Sequence, residues 1–404
     1  MGRIATSALA RLCMTGFLRT AGALLAGALA LPTFAADAAS APASAASAPT
    51  ASAGRCDAPG PDLAANRACA TALARHAEAE RAAGRNDVAL AELARADALA
   101  PQDLRFAMAR AALALKIADH LNPEGIEAAA RATPDDPGLA LMHAEVAAAR
   151  KDYATTVADA DRVIAKRPGA VLAWEMRATA NVARADFDAA RGDVARAMQL
   201  EPRSGATLRL RGILRNNAGD YGGALADYEL AHTLAPRPDD PFVIGTTQFL
   251  ARQYAESAAT LARRGPPPPD GLYWRIWRYL AIARGDGIAR ASGSLGPGTQ
   301  PGPGLPWPGP VIDYYQGNID AAKLLADAKT GEAANDLSQV CEAHFYMAED
   351  ALLRQRHDAI ALFQQAYKEC PRNFHEYEGA QAELRAANAL PVASAAPAAS
   401  AVQE

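Results

Sequence analysis

The chain has 404 residues, half of them hydrophobic by count, with 41 Lys and Arg against 45 Asp and Glu and a formal net charge of −4. Alanine is the commonest hydrophobic residue, and it has the highest intrinsic helix propensity. The composition therefore favours a helical protein. A mildly acidic balance, without any basic run interleaved with aromatics, excludes nucleic acids and anionic membrane surfaces as partners.

The first 35 residues have the pattern of a secretory signal peptide. Three arginines precede an apolar run of eleven residues (Ala21–Leu31), and a small-residue cleavage site follows near Ala35 and Ala36. A run of this length is too short for a membrane anchor. Cys13 precedes the apolar run instead of following it, so a lipid anchor is not expected. We predict a periplasmic protein with no integral membrane segment after cleavage.

Two segments of low complexity flank the rest of the chain. Residues 36–54 and 389–404 consist mainly of Ala, Ser and Pro. Such segments bury too little apolar area to offset the entropy that ordering costs. We therefore predict a disordered linker behind the cleavage site and a disordered C-terminal tail.

Prolines recur through the middle of the chain at Pro101, Pro134, Pro168, Pro202 and Pro236, in steps of 33, 34, 34 and 34 residues. Each proline ends a helix-like segment such as "ARAMQLEP". A period of 34 residues is typical of tetratricopeptide repeats, in which two antiparallel helices, A and B, form one unit. The chain resembles this family. The resemblance implies an all-α fold, a right-handed α-solenoid of about six helix-turn-helix units with an atypical helical insertion before the last unit.

Small residues return in phase within these units. Ala178 and Ala190 stand at positions 8 and 20 of the unit Val171–Ser204, and Gly212 and Ala224 stand at the same positions of the next unit. At these positions we expect helices A and B to approach most closely. The proline then ends helix B and directs the chain into the next hairpin.

Some units depart from the pattern. Pro123 and Gly125 should break the second helix of the unit Asp103–Asp136, and the unit that begins at Pro238 has a short second helix. The predicted division is a signal peptide at 1–35, a linker at 36–54, a tetratricopeptide array at 55–265, a Pro/Gly-rich spacer with atypical helical hairpins at 266–336, a C-terminal unit with a capping helix at 337–388, and a tail at 389–404.

Cleavage of the signal peptide leaves Cys56, Cys69, Cys341 and Cys370, an even number that in an exported chain favours disulfides. Cys341 lies near the start of the first helix of the last unit, and Cys370 lies at the end of the second. Because the two helices run antiparallel, these ends are adjacent, and we predict a bridge between them. Cys56 and Cys69 flank the entry to the first hairpin and are candidates for a second bridge. The alternative is four free thiols.

The C-terminal part resembles one family in particular. Within residues 239–387 the motifs "YWRIWRYLAIA", "WPGPVIDYYQGNIDAAKLLADA", "CEAHFYMAEDALLRQRHDAIALFQQA" and "NFHEYEGAQAEL" follow in this order. They are similar to the NlpI family of bacterial outer-membrane lipoproteins. The resemblance implies an adaptor without enzymatic activity, which holds a tail-specific protease and cell-wall hydrolases and forms homodimers. This chain lacks the lipid-anchored Cys of that family, and its spacer Gly293–Pro306 stands where the family has helix.

The sequence contains no catalytic motif of the H-E-x-x-H, G-x-S-x-G or Walker A type. We therefore predict that the protein is not an enzyme and takes no cofactor. Its seven histidines are scattered. We expect His344, His357 and His375 to be ordinary helix and turn residues instead of metal ligands.

The face lined by the A helices is the predicted partner-binding surface, since it is the concave face of such arrays. Positions 2, 5, 9, 12 and 13 form one stripe on each A helix. Asn side chains can bond to a peptide main chain, and Glu and Arg can pair with charges. The predicted partner-binding residues are Leu141, Glu145, Glu175, Thr179, Val182, Arg209, Ile213, Asn216 and Asn217.

These features predict a scaffold of the bacterial envelope that binds other envelope proteins or peptides. The alternative is a structural subunit of an envelope secretion or polysaccharide-export complex.

Overall fold

The computed structural model describes residues 59–263, 270–296 and 306–390. Regular structure in these ranges is entirely helical, which confirms the predicted all-α fold. None of the helices described there combines the length and apolarity needed to cross a bilayer. The predicted signal peptide, the linker with Cys56, most of the Gly/Pro spacer and the C-terminal tail lie outside the described residues.

The described chain forms two compact units, and it passes from the N-terminal to the C-terminal unit between Arg211 and Gly212. This passage falls within helix α9. The helices from the N-terminus to this point are α1 (Leu63–Ala82), α2 (Asn86–Leu99), α3 (Leu104–Ile117), α4 (Pro123–Ala132), α5 (Pro137–Ala149), α6 (Tyr153–Lys166), α7 (Val171–Ala183), α8 (Phe187–Leu200) and α9 (Gly205–Ala218).

Consecutive helices of the N-terminal unit pack as hairpins: α1 against α2, α5 against α6 and α7 against α8. Only three residues separate the helices of each hairpin, so the two must run antiparallel. The A helices α7 and α9 start at Val171 and Gly205, and the B helices α6 and α8 start at Tyr153 and Phe187. Each pair of starts is 34 residues apart, which is the predicted tetratricopeptide period.

The turn inside a hairpin is made in the same way in successive units. Lys151 and Ala185 adopt left-handed conformations, with φ of 64° and 59°, and so end their A helices. The next residues, Asp152 and Asp186, cap the B helices, and their carboxylates accept bonds from backbone N–H groups three residues further on at 3.1 and 3.2 Å. The turn is therefore held by the aspartates, while a strained backbone is tolerated before them.

Small residues seal the contact between helices A and B. Ala178 and Ala190, at positions 8 and 20, are both fully buried. In the preceding unit Ala144 faces Thr156, whose hydroxyl donates to the Ala144 carbonyl at 3.3 Å. The predicted close approach of the two helices is thus confirmed in these hairpins.

The prediction that Pro123 and Gly125 break a helix is wrong. Pro123 is the first residue of α4, where its missing N–H costs nothing. The Asn122 side chain caps this helix by accepting a bond from the Gly125 N–H at 2.8 Å. The unit keeps its second helix, which is only shorter, at 10 residues.

The C-terminal unit continues with further helices. They are α10 (Tyr221–Leu234), α11 (Asp240–Leu250), α12 (Tyr254–Thr260), α13 (Asp270–Asp286), α14 (Ile288–Ala291) followed by a 3-10 turn (Ser292–Leu295), α15 (Gly309–Tyr315), α16 (Ala321–Asp327), α17 (Ala333–Leu353), α18 (Ala359–Glu369) and α19 (His375–Ala386). The shortened second helix predicted after Pro238 is α12, and α19 is the predicted capping helix.

Aromatic side chains form the core of this unit. Trp277 stacks on Phe345 with ring centroids 5.5 Å apart, and Tyr279 stacks on Tyr315 at 4.8 Å. The "WPGPVIDYYQGNI" motif contributes to the same core, since Trp307 and Tyr315 are buried there. Its aromatics are therefore packing residues, and the motif and the residues after it form the short hairpin of α15 and α16.

One of the two predicted disulfides is present between described residues. Cys341 in α17 is bonded to Cys370 just after α18, with Cα atoms 5.0 Å apart, so the bridge closes the α17–α18 hairpin as predicted. Cys69 in α1 is also disulfide-bonded. Its predicted partner, Cys56, lies outside the described residues.

Replacing Ala185 with Gly should stabilise the N-terminal unit by about 0.5–1 kcal/mol, because glycine adopts a positive φ without steric strain. Urea unfolding monitored by circular dichroism measures the change. Ala195→Gly, in the exposed middle of α8, is the matched control and should destabilise by about 1 kcal/mol. Equal effects of both changes would show that the left-handed turn carries no strain.

Replacing both Cys341 and Cys370 with Ala should lower the free energy of unfolding of the C-terminal unit by about 3–4 kcal/mol, because the bridge closes a loop of 29 residues. Denaturant unfolding of the double variant checks this. Reduction of the native protein should lower the free energy of unfolding at least as much, because it opens the bridge at Cys69 as well. An unchanged midpoint in both samples would contradict a stabilising role for the bridge.

Candidate partner-binding surfaces

The predicted partner-binding residues of the N-terminal unit lie on α5, α7 and the first half of α9. Most of them are buried: Leu141, Glu145, Val182 and Arg209 expose 0%, 2%, 4% and 6% of their surface. Leu141 belongs to the apolar core that packs around α5. The partly exposed members of the set are Glu175 and Thr179, which both lie on α7.

Glu145 is the chemically unusual member of this stripe. Neither of its carboxyl oxygens has a hydrogen-bond partner, although both are buried. Burial disfavours the charged form and raises the pKa of Glu145 to about 8. The side chain is therefore mainly protonated at neutral pH, and its polar atoms would gain from any donor or acceptor that reached them.

Glu175 joins two A helices. Its Oε1 accepts bonds from the hydroxyls of Ser204 and Thr207, both at 2.5 Å, at the N-terminal end of α9. Burial raises the pKa of this carboxyl, and the two hydroxyl donors oppose that rise. A negative charge near a helix N-terminus is also favoured by the helix dipole. Glu175 thus holds α7 to α9 whether or not it contacts a partner.

Hydrogen-bonded pairs of ionisable side chains also link helices A and B, and the sequence did not predict them. His143 Nδ1 lies 2.7 Å from Asp159, and Arg177 lies 2.6 Å from Asp193. The two pairs occupy positions 7 and 23 of successive units, and both aspartates are buried. The 34-residue spacing between His143 and Arg177, and between Asp159 and Asp193, is the feature of the sequence that could have predicted these pairs. Arg177 also lies over the ring of Trp174, 4.8 Å from its centroid.

The predicted residues of the C-terminal unit are engaged by their own chain. The Asn216 amide donates to the Thr247 hydroxyl at 2.9 Å, and the Asn217 amide donates to the Arg372 carbonyl at 3.4 Å. Ile213 packs against a small apolar cluster that includes Tyr228. An asparagine does bond to a main chain here, but that main chain is the segment leading into α19.

Helix α19 packs most extensively against α18 and also lies on the A-helix face of this unit, in contact with α11 and α17. Arg284 of α13 pairs with Glu349 of α17 at 3.1 Å and with Glu383 of α19 at 2.9 Å. Arg252 adds a second cation to Glu383 at 3.2 Å. Glu349 is fully buried, and burial raises its pKa to about 7 although Arg284 opposes the rise. A charged network therefore lies between α19 and the repeat helices.

Five of the seven histidines, which are His76, His143, His232, His344 and His375, lie beside carboxylates instead of converging. His344 Nδ1 lies 2.7 Å from Glu369, and His375 Nδ1 lies 3.3 Å from Glu378. Within the described ranges, no group of three or more His, Cys, Asp or Glu side chains is arranged to hold a metal ion. These histidines act in helix-to-helix and intrahelical hydrogen bonds.

No known protein-family model matches the chain, and no curated protein matches it in sequence. Solved structures do match it. A thermophilic tetratricopeptide-repeat protein from Thermus thermophilus is 16% identical, over 53% of this chain and 98% of its own, with a TM-score of 0.33. Yeast Tom70 is 14% identical, over 81% of this chain and 55% of its own, with a TM-score of 0.26.

Glu145→Gln should flatten the pH dependence of stability. The folded-state pKa of about 8 lies above the ordinary Glu value of 4.5, so the contribution of Glu145 is fully present below about pH 4.5 and is lost as the pH rises through 8. The stability of the native protein should fall by up to about 1.4 kcal/mol per pH unit from this group over that window, and the Gln variant should lack this slope.

Urea unfolding at pH 5, 6, 7 and 8 measures the two slopes. Glu229→Gln is the matched control, because it removes an exposed carboxyl and should leave the slope unchanged. Parallel slopes for the native protein and Glu145→Gln would contradict a buried, protonated carboxyl.

Proposed function

We propose that the protein is a non-enzymatic adaptor or scaffold that binds partner proteins on the A-helix face of its N-terminal unit. The observation that carries the proposal is the stripe on α5 and α7, where the polar side chains of Glu175 and Thr179 remain partly exposed. Thr179 stands at the repeat position that the buried Glu145 has in the preceding unit. A peptide or helix laid along this stripe would meet the exposed parts of Glu175 and Thr179.

The proposed location is the bacterial periplasm, with cleavage of the signal peptide near Ala35 and Ala36. The Cys341–Cys370 disulfide supports export, because structural disulfides persist in oxidising compartments. Other envelope proteins or peptides are the proposed partners. The motif resemblance to the NlpI family makes a tail-specific protease and cell-wall hydrolases the first candidates, and it also suggests a homodimer.

The alternative is a structural subunit of an envelope secretion or polysaccharide-export complex. The recurrent hairpins of the N-terminal unit would serve either role, since both need an extended binding face. The two differ in what they bind: an adaptor holds a soluble enzyme and its client, while a structural subunit stays in one large assembly.

Capture from a periplasmic extract with gentle crosslinking tests the proposal. Thr179→Arg places a bulky cation on the stripe, and it should reduce the captured partner at least tenfold. The Thr179 hydroxyl bonds only within its own helix, to the Glu175 carbonyl at 2.7 Å, so α7 should stay intact. Gln199→Arg, on the exposed side of α8, adds the same charge and should leave capture unchanged.

Equal capture by both variants would show that the partner does not use this face. A protease or cell-wall hydrolase in the eluate supports the adaptor role. A large stoichiometric membrane complex instead supports the structural-subunit role.

A further inference from the structure

Three glutamates of α19 are buried. Glu376, Glu378 and Glu383 expose only 1%, 5% and 9% of their surface. Glu376 accepts a bond from the Tyr346 hydroxyl of α17 at 2.6 Å. At the other end of the helix, Glu383 accepts from Arg284 of α13 at 2.9 Å. The repeat helices thus offer donors at two points along α19.

The two points lie two helical turns apart, because Glu376 and Glu383 are seven residues apart and share one face. Gly379 lies between them, and a Cβ there would come within 2.5 Å of the Phe345 ring. The surface of α13 and α17 therefore selects a helix with a small residue midway between two glutamates. A larger side chain would hold that helix away from both donors.

The segment leading into α19 is held by further specific contacts. The His375 ring packs on Phe242 of α11 and Trp277 of α13, with centroids 5.6 and 6.4 Å apart. The Asn217 amide reaches the Arg372 carbonyl. Together with the glutamates, these contacts place α19 along α11, α13 and α17 as a ligand would lie in a groove.

Two polar atoms at the contact between α19 and the repeat helices lack hydrogen-bond partners. Gln381 Oε1 on α19 and Glu349 Oε1 beneath it are buried without a hydrogen-bond partner. Buried ion pairs such as Arg284–Glu383 contribute little net stability, because desolvation offsets their attraction. The apolar side, where Tyr377 stacks on Tyr367 at 4.8 Å, supplies the remaining contact.

The α17–α18 hairpin has a covalent closure that does not involve α19. The Cys341–Cys370 disulfide closes the α17–α18 hairpin five residues before α19 begins. The hairpin therefore stays covalently closed if α19 moves away. Only the short stretch from Pro371 to Phe374 has to change direction.

We propose that α19 is a built-in occupant of a recognition surface on α11, α13 and α17, and that this surface binds acidic amphipathic helices. Its ligand is a partner helix with two glutamates seven residues apart, a small residue midway between them and apolar residues on the adjacent side. Such a helix competes with α19 for the same donors. This surface is separate from the stripe on α5 and α7, and its test does not depend on that proposal.

Binding of a fluorescein-labelled peptide with the sequence of residues 371–390 tests the proposal on the full-length mature protein. Gly379→Leu should prevent α19 from docking in its own chain while favouring the helix itself. This variant should bind the peptide at least tenfold more tightly than the native protein does. A control peptide carrying Glu376→Gln and Glu383→Gln should bind the variant at least tenfold more weakly.

A folded Gly379→Leu variant that binds neither peptide, or binds both equally, overturns the proposal, as does equal binding by the native protein. Hydrogen exchange of the native protein gives a second reading, which also applies if the variant fails to fold. Amides of α19 should exchange through local opening, clearly faster than those of α17. Identical protection of the two helices would show that α19 is a fixed part of the core.

Discussion

The close approach of paired helices, which small side chains permit, is the constraint on which the other contacts depend. In the C-terminal unit a Cβ on Gly212 would lie 2.6 Å from the Tyr228 ring, and one on Gly245 would lie 2.6 Å from Leu261. Ser257 uses the same proximity to donate to the Gly245 carbonyl at 2.7 Å. With larger residues at these positions the helices would separate, and the interior would lose its packing density.

Close packing also explains why polar side chains are buried between helices. Once two helices lie this near, a long side chain on one reaches a carboxylate on the other. His143 with Asp159 and Arg177 with Asp193 use this reach in successive units. Such pairs add little net stability when buried, but they penalise misregistered packing that would leave a charge unpaired. Polar contacts as well as apolar contacts thus determine how helices A and B are aligned along each other in these repeats.

The two units present their A-helix faces differently. On α5 and α7 the face keeps partly exposed polar groups and a carboxyl without a partner. In the C-terminal unit the corresponding residues already bond to their own chain, and α19 covers α11 and α17. One kind of repeat therefore has an A-helix face with partly exposed polar groups in one unit and an A-helix face that the C-terminal helix occupies in the other.

The sequence by itself determined the helical class, the 34-residue period, the closest-contact positions such as Ala178 and Ala190, and the Cys341–Cys370 bridge. Each of these follows from local spacing, because a helical hairpin brings fixed positions together. Which side chains are buried could not be predicted from local spacing. Whether Arg209 or Asn216 is exposed depends on helices far away in the chain, and the donors that meet Glu383 come from residues about 100 positions earlier, at Arg284. Only the tertiary structure decided that α19 lies on the A-helix face of the C-terminal unit, because that contact joins elements without any periodic relation in the sequence.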